Sequence, residues 1–160
     1  MERTIRPWVE NWAMLDERFW AVIQVVRRGL TPEEVCWKPS PRINSIGWNL
    51  QHLAEMLDYY LHVLFGLGEP LRAEHPTMRR NAVDDGRYSD VDEIAAYHRA
   101  VRPVYRRYLE NLSLEDLEQT APRGGMTIGW AIGHIHEHES YHLGKCTLLL
   151  RWIVDSRRRT

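Results

Sequence analysis

Apolar side chains recur every three or four residues along four long segments of the chain, which is the period of an amphipathic helix. None of these segments alternates apolar and polar residues in the way a half-buried strand does. The first predicted helix presents the stripe Trp8, Trp12, Leu15, Phe19, Ile23, Val26 and Leu30. The pattern therefore predicts an all-α fold.

The second and third helices are separated by a long polar connection. The second is predicted to begin at Asn44 or Ser45, both good N-caps, and to run to about Phe65. The third follows Ser89. Residues 67–89 contain glycines, prolines and charges with little periodicity, and a connection of this length in a compact domain is usually mobile or functional.

The last predicted helix is capped by Thr127 and runs to about Val154. Four helices with two long connections predict a four-helix bundle. We expect a single domain over residues 1–156, followed by a basic tail, 157–160, whose arginines are solvated.

Composition narrows the class of protein. Of the 160 residues, 44% are hydrophobic and 27% are charged, and this apolar fraction is sufficient for a buried hydrophobic core. The 21 basic and 22 acidic side chains give a net charge of −1, which argues against a nucleic-acid partner. No apolar run is long enough to cross a membrane. Two cysteines are too few for a disulfide framework, so we expect a cytoplasmic protein.

Candidate chemistry is concentrated in the last helix. His134, His138 and His142 are each turned about 40° from the one before, on a stripe that continues through Lys145, Leu149 and Trp152. We expect this stripe to face the bundle interior. His136 falls about 160° from His138 and is expected to face water.

Imidazoles four residues apart on a helix are close enough to bind one metal ion, although hydrogen-bonded core or surface histidines are the alternative. His138 to His142 also forms an H-E-x-x-H motif, in which Glu139 is the candidate general base, or else a solvated surface charge. No His or Glu follows His142, so a third ligand must come from upstream. His52 is the best candidate, although its helical position alone does not require it.

The chain resembles a known family at these positions. The resemblance rests on Ser45-Ile46-Gly47-Trp48 leading to His52, on His138-Glu139-Ser140-Tyr141-His142-Leu143-Gly144, and on Leu148-Leu149-Leu150-Arg151. These motifs are similar to those of the DinB-like (YfiT-like) metalloproteins. The resemblance implies a four-helix bundle, frequently dimeric, with a divalent metal held by His52, His138 and His142 and with open positions for water or substrate.

The same resemblance suggests several functions. Characterised relatives include thiol-dependent transferases and isomerases and metal-dependent hydrolases. We therefore expect a metal-dependent enzyme that transfers a low-molecular-weight thiol to small electrophiles. The alternatives are a metal-dependent hydrolase and a non-catalytic, stress-associated metal-binding bundle. Imidazole ligands do not discriminate among Zn²⁺, Ni²⁺, Fe²⁺ and Mn²⁺.

Further residues are candidates for lining the site. His134 is expected to line the site or to donate a hydrogen bond to a ligand, with a fourth ligand as the alternative. His98 interrupts the apolar stripe of the third helix and is expected to be a core histidine or to face the same cavity. Lys145 stands where the family often has Gln, and either reaches an anion or extends to an opening. Glu55, near one turn beyond His52, is expected at the surface, with orientation of a ligand as the alternative.

Overall fold

The computed structural model describes residues 4–159, which fold into four long helices and short connecting elements. Among these residues no helix combines the length and apolar character needed to cross a bilayer. Two single-turn helices and four long ones follow in the order α1 Arg6–Gly29, α2 Pro32–Val35, α3 Ile46–Asp58, α4 Val91–Glu110, α5 Leu114–Leu117 and α6 Ile128–Arg157.

The long helices surround one core. α1 packs against α4 and α6, and α3 packs against the same two helices. α1 and α3 are therefore diagonal neighbours, and α4 and α6 are as well. This arrangement confirms the predicted all-α four-helix bundle.

The predicted stripe of α1 is the face that the core covers. Trp12, Leu15, Phe19, Ile23 and Val26 are at most 1% exposed, while the two ends of the stripe are half-buried. Burying such side chains contributes about 1.5–3 kcal/mol each. The helical period therefore located this part of the core correctly.

α3 begins at the predicted cap. The Ser45 hydroxyl accepts a hydrogen bond from the backbone N–H of Trp48 at 3.2 Å. All thirteen residues of α3 are buried, because α4, α6 and the 67–89 connection cover it. A β-carbon on Gly47 would lie 1.7 Å from the Tyr88 carbonyl oxygen, so only glycine allows the connection to pass this close.

The 67–89 connection is tied to the end of α3 by one buried carboxylate. Asp58 accepts hydrogen bonds from the backbone N–H groups of Leu71 and Arg72, from His75 Nε2 at 2.9 Å and from the Tyr97 hydroxyl at 2.6 Å. Burial alone would raise the pKa of Asp58, but these hydrogen bonds lower it overall. Beyond Asp58 the helix continues as a π-helical turn, Tyr59–Leu64.

The inward face of α6 differs from the predicted one. Trp152 is 39% exposed, and His134 and Lys145 are only half-buried. His136, expected to face water, is 5% exposed. The prediction was wrong at these positions because the covered stripe of α6 is centred on its apolar residues Ile135, Leu143 and Cys146, each at most 1% exposed. This stripe carries His136 on the α1 side and His142 on the α3 side, so His142 and Leu149 are buried as predicted.

The C-terminal end of α6 extends past the predicted boundary at Val154. The helix includes Arg157, whose guanidinium pairs with Glu34 and donates to the Gly29 carbonyl at 2.8 Å. Arg157 therefore contacts the α1–α2 connection while its side chain remains 46% exposed.

Candidate metal centre

Three imidazoles from two helices meet in the bundle. His52 of α3 and His138 and His142 of α6 each offer a ring nitrogen, and these nitrogens lie within 4.8 Å of one another. The Nε2 atoms of His52 and His138 are 3.3 Å apart. The packing of α3 on α6 thus brings together residues that are 86 positions apart.

His52 is held by a chain of hydrogen bonds that ends on a buried carboxylate. The Thr77 hydroxyl donates to Glu55 Oε2 at 2.5 Å, so its oxygen is free to accept from His52 Nδ1 at 3.1 Å. Glu55 is fully buried, and its expected surface position was wrong. With the proton on Nδ1, the Nε2 lone pair of His52 points toward the other two rings.

His142 is held in the same way by Asn49. The Asn49 amide nitrogen donates to the carbonyl oxygens of Ser45 at 2.6 Å and Asn44 at 3.1 Å. This orients its side-chain oxygen toward His142 Nδ1, 2.6 Å away. The ring therefore donates from Nδ1 and keeps Nε2 unprotonated.

The cluster is electrically neutral near pH 7. The pKa of His52 is lowered to about 4, that of His138 to about 3 and that of His142 to about 2, with burial as the largest cause in each case. Neighbouring imidazoles and Lys145 account for part of the lowering at His138 and His142. Neutral imidazole is the form that binds a metal ion.

The donor set therefore fits a divalent transition-metal ion. Three neutral rings present nitrogens to one point, and two of them have their other nitrogen fixed by a hydrogen bond. A closed structural site normally has four protein ligands, whereas three leave room for water or substrate. The three histidines named from the sequence are the ones that the fold brings together.

Comparison with known proteins identifies the family. The sequence profile of the DinB superfamily matches residues 15–146. The chain belongs to the DinB superfamily. No curated protein matches it.

Two solved structures share the fold of this DinB-superfamily chain. A conserved protein from Enterococcus faecalis has a TM-score of 0.76 at 16% identity, covering 97% of this chain and 99% of that one. A DinB-like protein from Bacillus cereus ATCC 10987 has a TM-score of 0.68 at 19% identity, covering 96% of this chain and 95% of that one. At these identities the likeness establishes the fold alone.

Glu139 lies on the side of α6 that faces α1 and α4. It is fully buried, which excludes the solvated alternative, and it accepts a hydrogen bond from Arg102 Nη1 at 2.7 Å. Arg102 also pairs with Asp16 of α1. Burial raises the pKa of Glu139, and Arg102 offsets part of that rise. The partner of the Glu139 carboxylate is thus the guanidinium of Arg102, which joins helices of the bundle. This contact gives no support to a general-base role for Glu139.

The other candidate lining residues divide into two groups. The His134 ring lies 5.4 Å from that of His138 and stacks on Trp130, and Lys145 Nζ lies 4.2 Å from the centre of the exposed Tyr141 ring. These side chains lie beside the cluster. His98 does not: it is fully buried, and its Nε2 bonds to the Leu50 carbonyl at 2.8 Å, as expected of a core histidine.

Asn49 and Thr77 hold candidate ligands through hydrogen bonds and were not predicted from the sequence, whereas Glu55 holds Thr77 in the ligand-orienting role that was the alternative to its surface position. A signal existed for Asn49, because it is a polar residue about one turn before His52 on the same helix. Thr77 gave no signal, since it belongs to an irregular connection whose course depends on tertiary contacts.

Proposed function

We propose that this protein is a divalent-metal-dependent enzyme in which His52, His138 and His142 hold the ion. The observation that carries the proposal is the convergence of three neutral imidazoles, two of them fixed through Nδ1, on one point between α3 and α6. Zn²⁺, Ni²⁺, Fe²⁺ and Mn²⁺ all suit imidazole ligands.

Within this proposal the reaction is transfer of a low-molecular-weight thiol to a small electrophile. A bound divalent ion lowers the pKa of a coordinated thiol or water, giving a nucleophile near neutral pH. Tyr141, whose ring lies 5.1 Å from that of His142, and Lys145 border the cluster and would bind substrate through one aromatic face and one cation. Thr77, Glu55 and Asn49 would keep the ligand rings oriented.

Metal-dependent hydrolysis is the second candidate function. In an H-E-x-x-H hydrolase the motif carboxylate activates water. Here the Glu139 carboxylate binds Arg102 instead, which favours thiol transfer over hydrolysis of that type. A non-catalytic metal-binding bundle is the third candidate. A fourth protein ligand that closes the coordination shell would favour it.

The test combines metal content with activity. The purified protein should carry about one transition-metal ion per chain by elemental analysis, and it should conjugate a member of a thiol panel to an electrophile such as a chloro-dinitroarene. His138→Ala should lose both metal and conjugation, because it removes one of three ligands. The matched control His134→Ala, on the same helix, should keep the metal.

Two outcomes would contradict this proposal in different ways. Full metal content in a His52→Ala, His138→Ala double variant would refute the ligand set. Metal binding without conjugation of any thiol in the panel would leave hydrolysis or the non-catalytic role.

The proposal also covers the oligomeric state of the protein and its cellular compartment. We propose a homodimer, supported by exposed Trp130, Leu148 and Trp152 on α6 and checked by sedimentation equilibrium, where a monomer mass would refute it. Cys36 and Cys146 are both free thiols, which supports a location in the reducing environment of the cytoplasm.

A further inference from the structure

The segment that carries Thr77 is held against α3 by two carboxylates. Glu55 and Asp58 lie three residues apart on this helix, so they share one face, and both are fully buried. Asp58 accepts from His75 Nε2 at 2.9 Å, and Glu55 accepts from the Thr77 N–H at 2.7 Å. The connection therefore runs back along α3, from the C-terminal end of the helix toward His52.

His75 is a side-chain anchor two residues before Thr77. Only 9% of its side chain is exposed, and because a carboxylate can only accept, its Nε2 is the donor to Asp58. The His75 carbonyl accepts from the Met78 N–H at 3.0 Å, which closes the single 3₁₀ turn Pro76–Met78. Thr77 lies in the middle of this turn, so its position depends on where His75 is held.

Asp58 is itself fixed by partners outside the connection. The hydroxyl of Tyr97, on α4, donates to Oδ2 at 2.6 Å, the same oxygen that accepts from His75. His62 Nδ1 lies 2.8 Å from the other oxygen, Oδ1. Because both oxygens are engaged, the carboxylate has one orientation, and it holds His75 at a defined place beside α3.

Thr77 connects this anchor to the candidate metal centre. Its hydroxyl donates to Glu55 at 2.5 Å, and the hydroxyl oxygen accepts from His52 Nδ1 at 3.1 Å. If Thr77 moved away, nothing would keep the proton of the neutral ring on Nδ1. The Nε2-protonated tautomer would then become accessible, and it blocks the nitrogen that faces His138.

We propose that Asp58 and His75 are positioning residues for the candidate metal centre. By holding the connection at residue 75, they place Thr77 where it fixes the ring and the tautomer of His52. The effect of this pair on metal affinity rests on the proposed function, whereas its effect on the His52 ring is a property of the metal-free protein.

Nitrogen-15 NMR of the metal-free protein tests the effect on the ring. In the wild type, His52 should be predominantly protonated on Nδ1. His75→Leu should shift the ring toward the Nε2 tautomer, because leucine offers Asp58 no donor. His75→Gln should restore Nδ1 protonation, because its amide nitrogen can replace Nε2 as the donor. Glu74→Gln, at the neighbouring exposed position, removes only an ion pair with Arg79 and is the matched control.

Zn²⁺ affinity is the second measurement. His75→Leu should raise the dissociation constant by about tenfold, the lower end of the range for residues that orient metal ligands, and His75→Gln should return it toward the wild-type value. Asp58→Asn, which replaces one acceptor oxygen by a donor, should act in the same direction as His75→Leu. In a Thr77→Val background His75→Leu should have no further effect, because both changes interrupt the same contact with His52.

The possible outcomes distinguish this positioning role from the metal-binding role. An unchanged His52 tautomer and unchanged Zn²⁺ affinity in His75→Leu would refute the positioning role, as would additive effects of His75→Leu and Thr77→Val. If the wild type binds no metal while His75→Leu still changes the tautomer of His52, the positioning role stands and the proposed function fails.

Discussion

At the scale of single residues, the candidate metal centre depends on which ring nitrogen carries the proton. Asn49 and Thr77 each accept from an Nδ1 atom, so the Nε2 atoms of His142 and His52 are left with their lone pairs. His138 has no such support, since its Nδ1 is buried without a partner among the described residues. Hydrogen-bond partners of this kind typically alter metal affinity 10–100-fold.

Replacing Asn49 should therefore weaken metal binding without removing a ligand. We expect Asn49→Leu to raise the dissociation constant for Zn²⁺ by roughly 10–100-fold, measured by competition with a chromophoric chelator. Asn11→Leu is the matched control, because Asn11 bonds to His136 Nδ1 at 2.9 Å, away from the cluster. Equal affinities in the wild type and Asn49→Leu would show that Asn49 does not orient His142.

At the scale of helices, the rotation of α6 decides which of its polar residues meet the metal centre. The ion-paired group of buried Glu139 and Arg102 with half-buried Asp16 joins α6 to α4 and α1. Arg102 also lies 4.5 Å from the centre of the Trp12 ring and 4.1 Å from that of Phe19. Because Glu139 is fixed on this side of the helix, His138 and His142 are directed toward α3.

Glu139→Gln should accordingly reduce stability. Removing one partner of a buried ion pair costs about 3–5 kcal/mol, since it leaves an uncompensated charge. Because Asp16 still pairs with Arg102 in this variant, we expect a loss of stability near the lower end of that range. Chemical denaturation measures the effect. Glu137→Gln, at the neighbouring exposed position, should change the free energy of unfolding by less than about 0.5 kcal/mol.

The same variant distinguishes the structural role of Glu139 from the general-base role. A structural carboxylate predicts lower stability with metal content retained in the folded fraction. Unchanged stability with loss of a metal-dependent hydrolytic activity would restore Glu139 as the catalytic base.

At the scale of the whole molecule, the candidate metal centre connects two of the four long helices. An ion bound by His52 of α3 and by His138 and His142 of α6 would bind the folded state and not the unfolded chain, in which the ligands are dispersed. Such binding stabilises the fold by an amount that depends on the free ion concentration and its dissociation constant.

Chelation should therefore lower the melting temperature. With free metal at about 100 times its dissociation constant, the stabilisation is about 2.7 kcal/mol, which corresponds to roughly 5–10 °C for a domain of this size. Differential scanning calorimetry with and without a chelator measures the shift. The His52→Ala, His138→Ala double variant should show none. An unchanged melt after verified metal removal would count against an ion that joins α3 and α6.

The sequence by itself determined the helices, most of their caps and the pairing of His138 with His142, because helical period, capping chemistry and residue type are local properties. The addition of His52 rested on the family resemblance, and the packing of α3 on α6 brought it to the other two. The sequence located the stripe of α1, since that helix buries one narrow face. It did not determine the orientation of α6, because polar and aromatic residues lie both inside and outside the arc that this helix buries, so Glu139 and His136 are buried and Trp152 is exposed. Tertiary structure alone brought Thr77 to His52 and His75 to Asp58, since both contacts depend on where an irregular connection crosses α3.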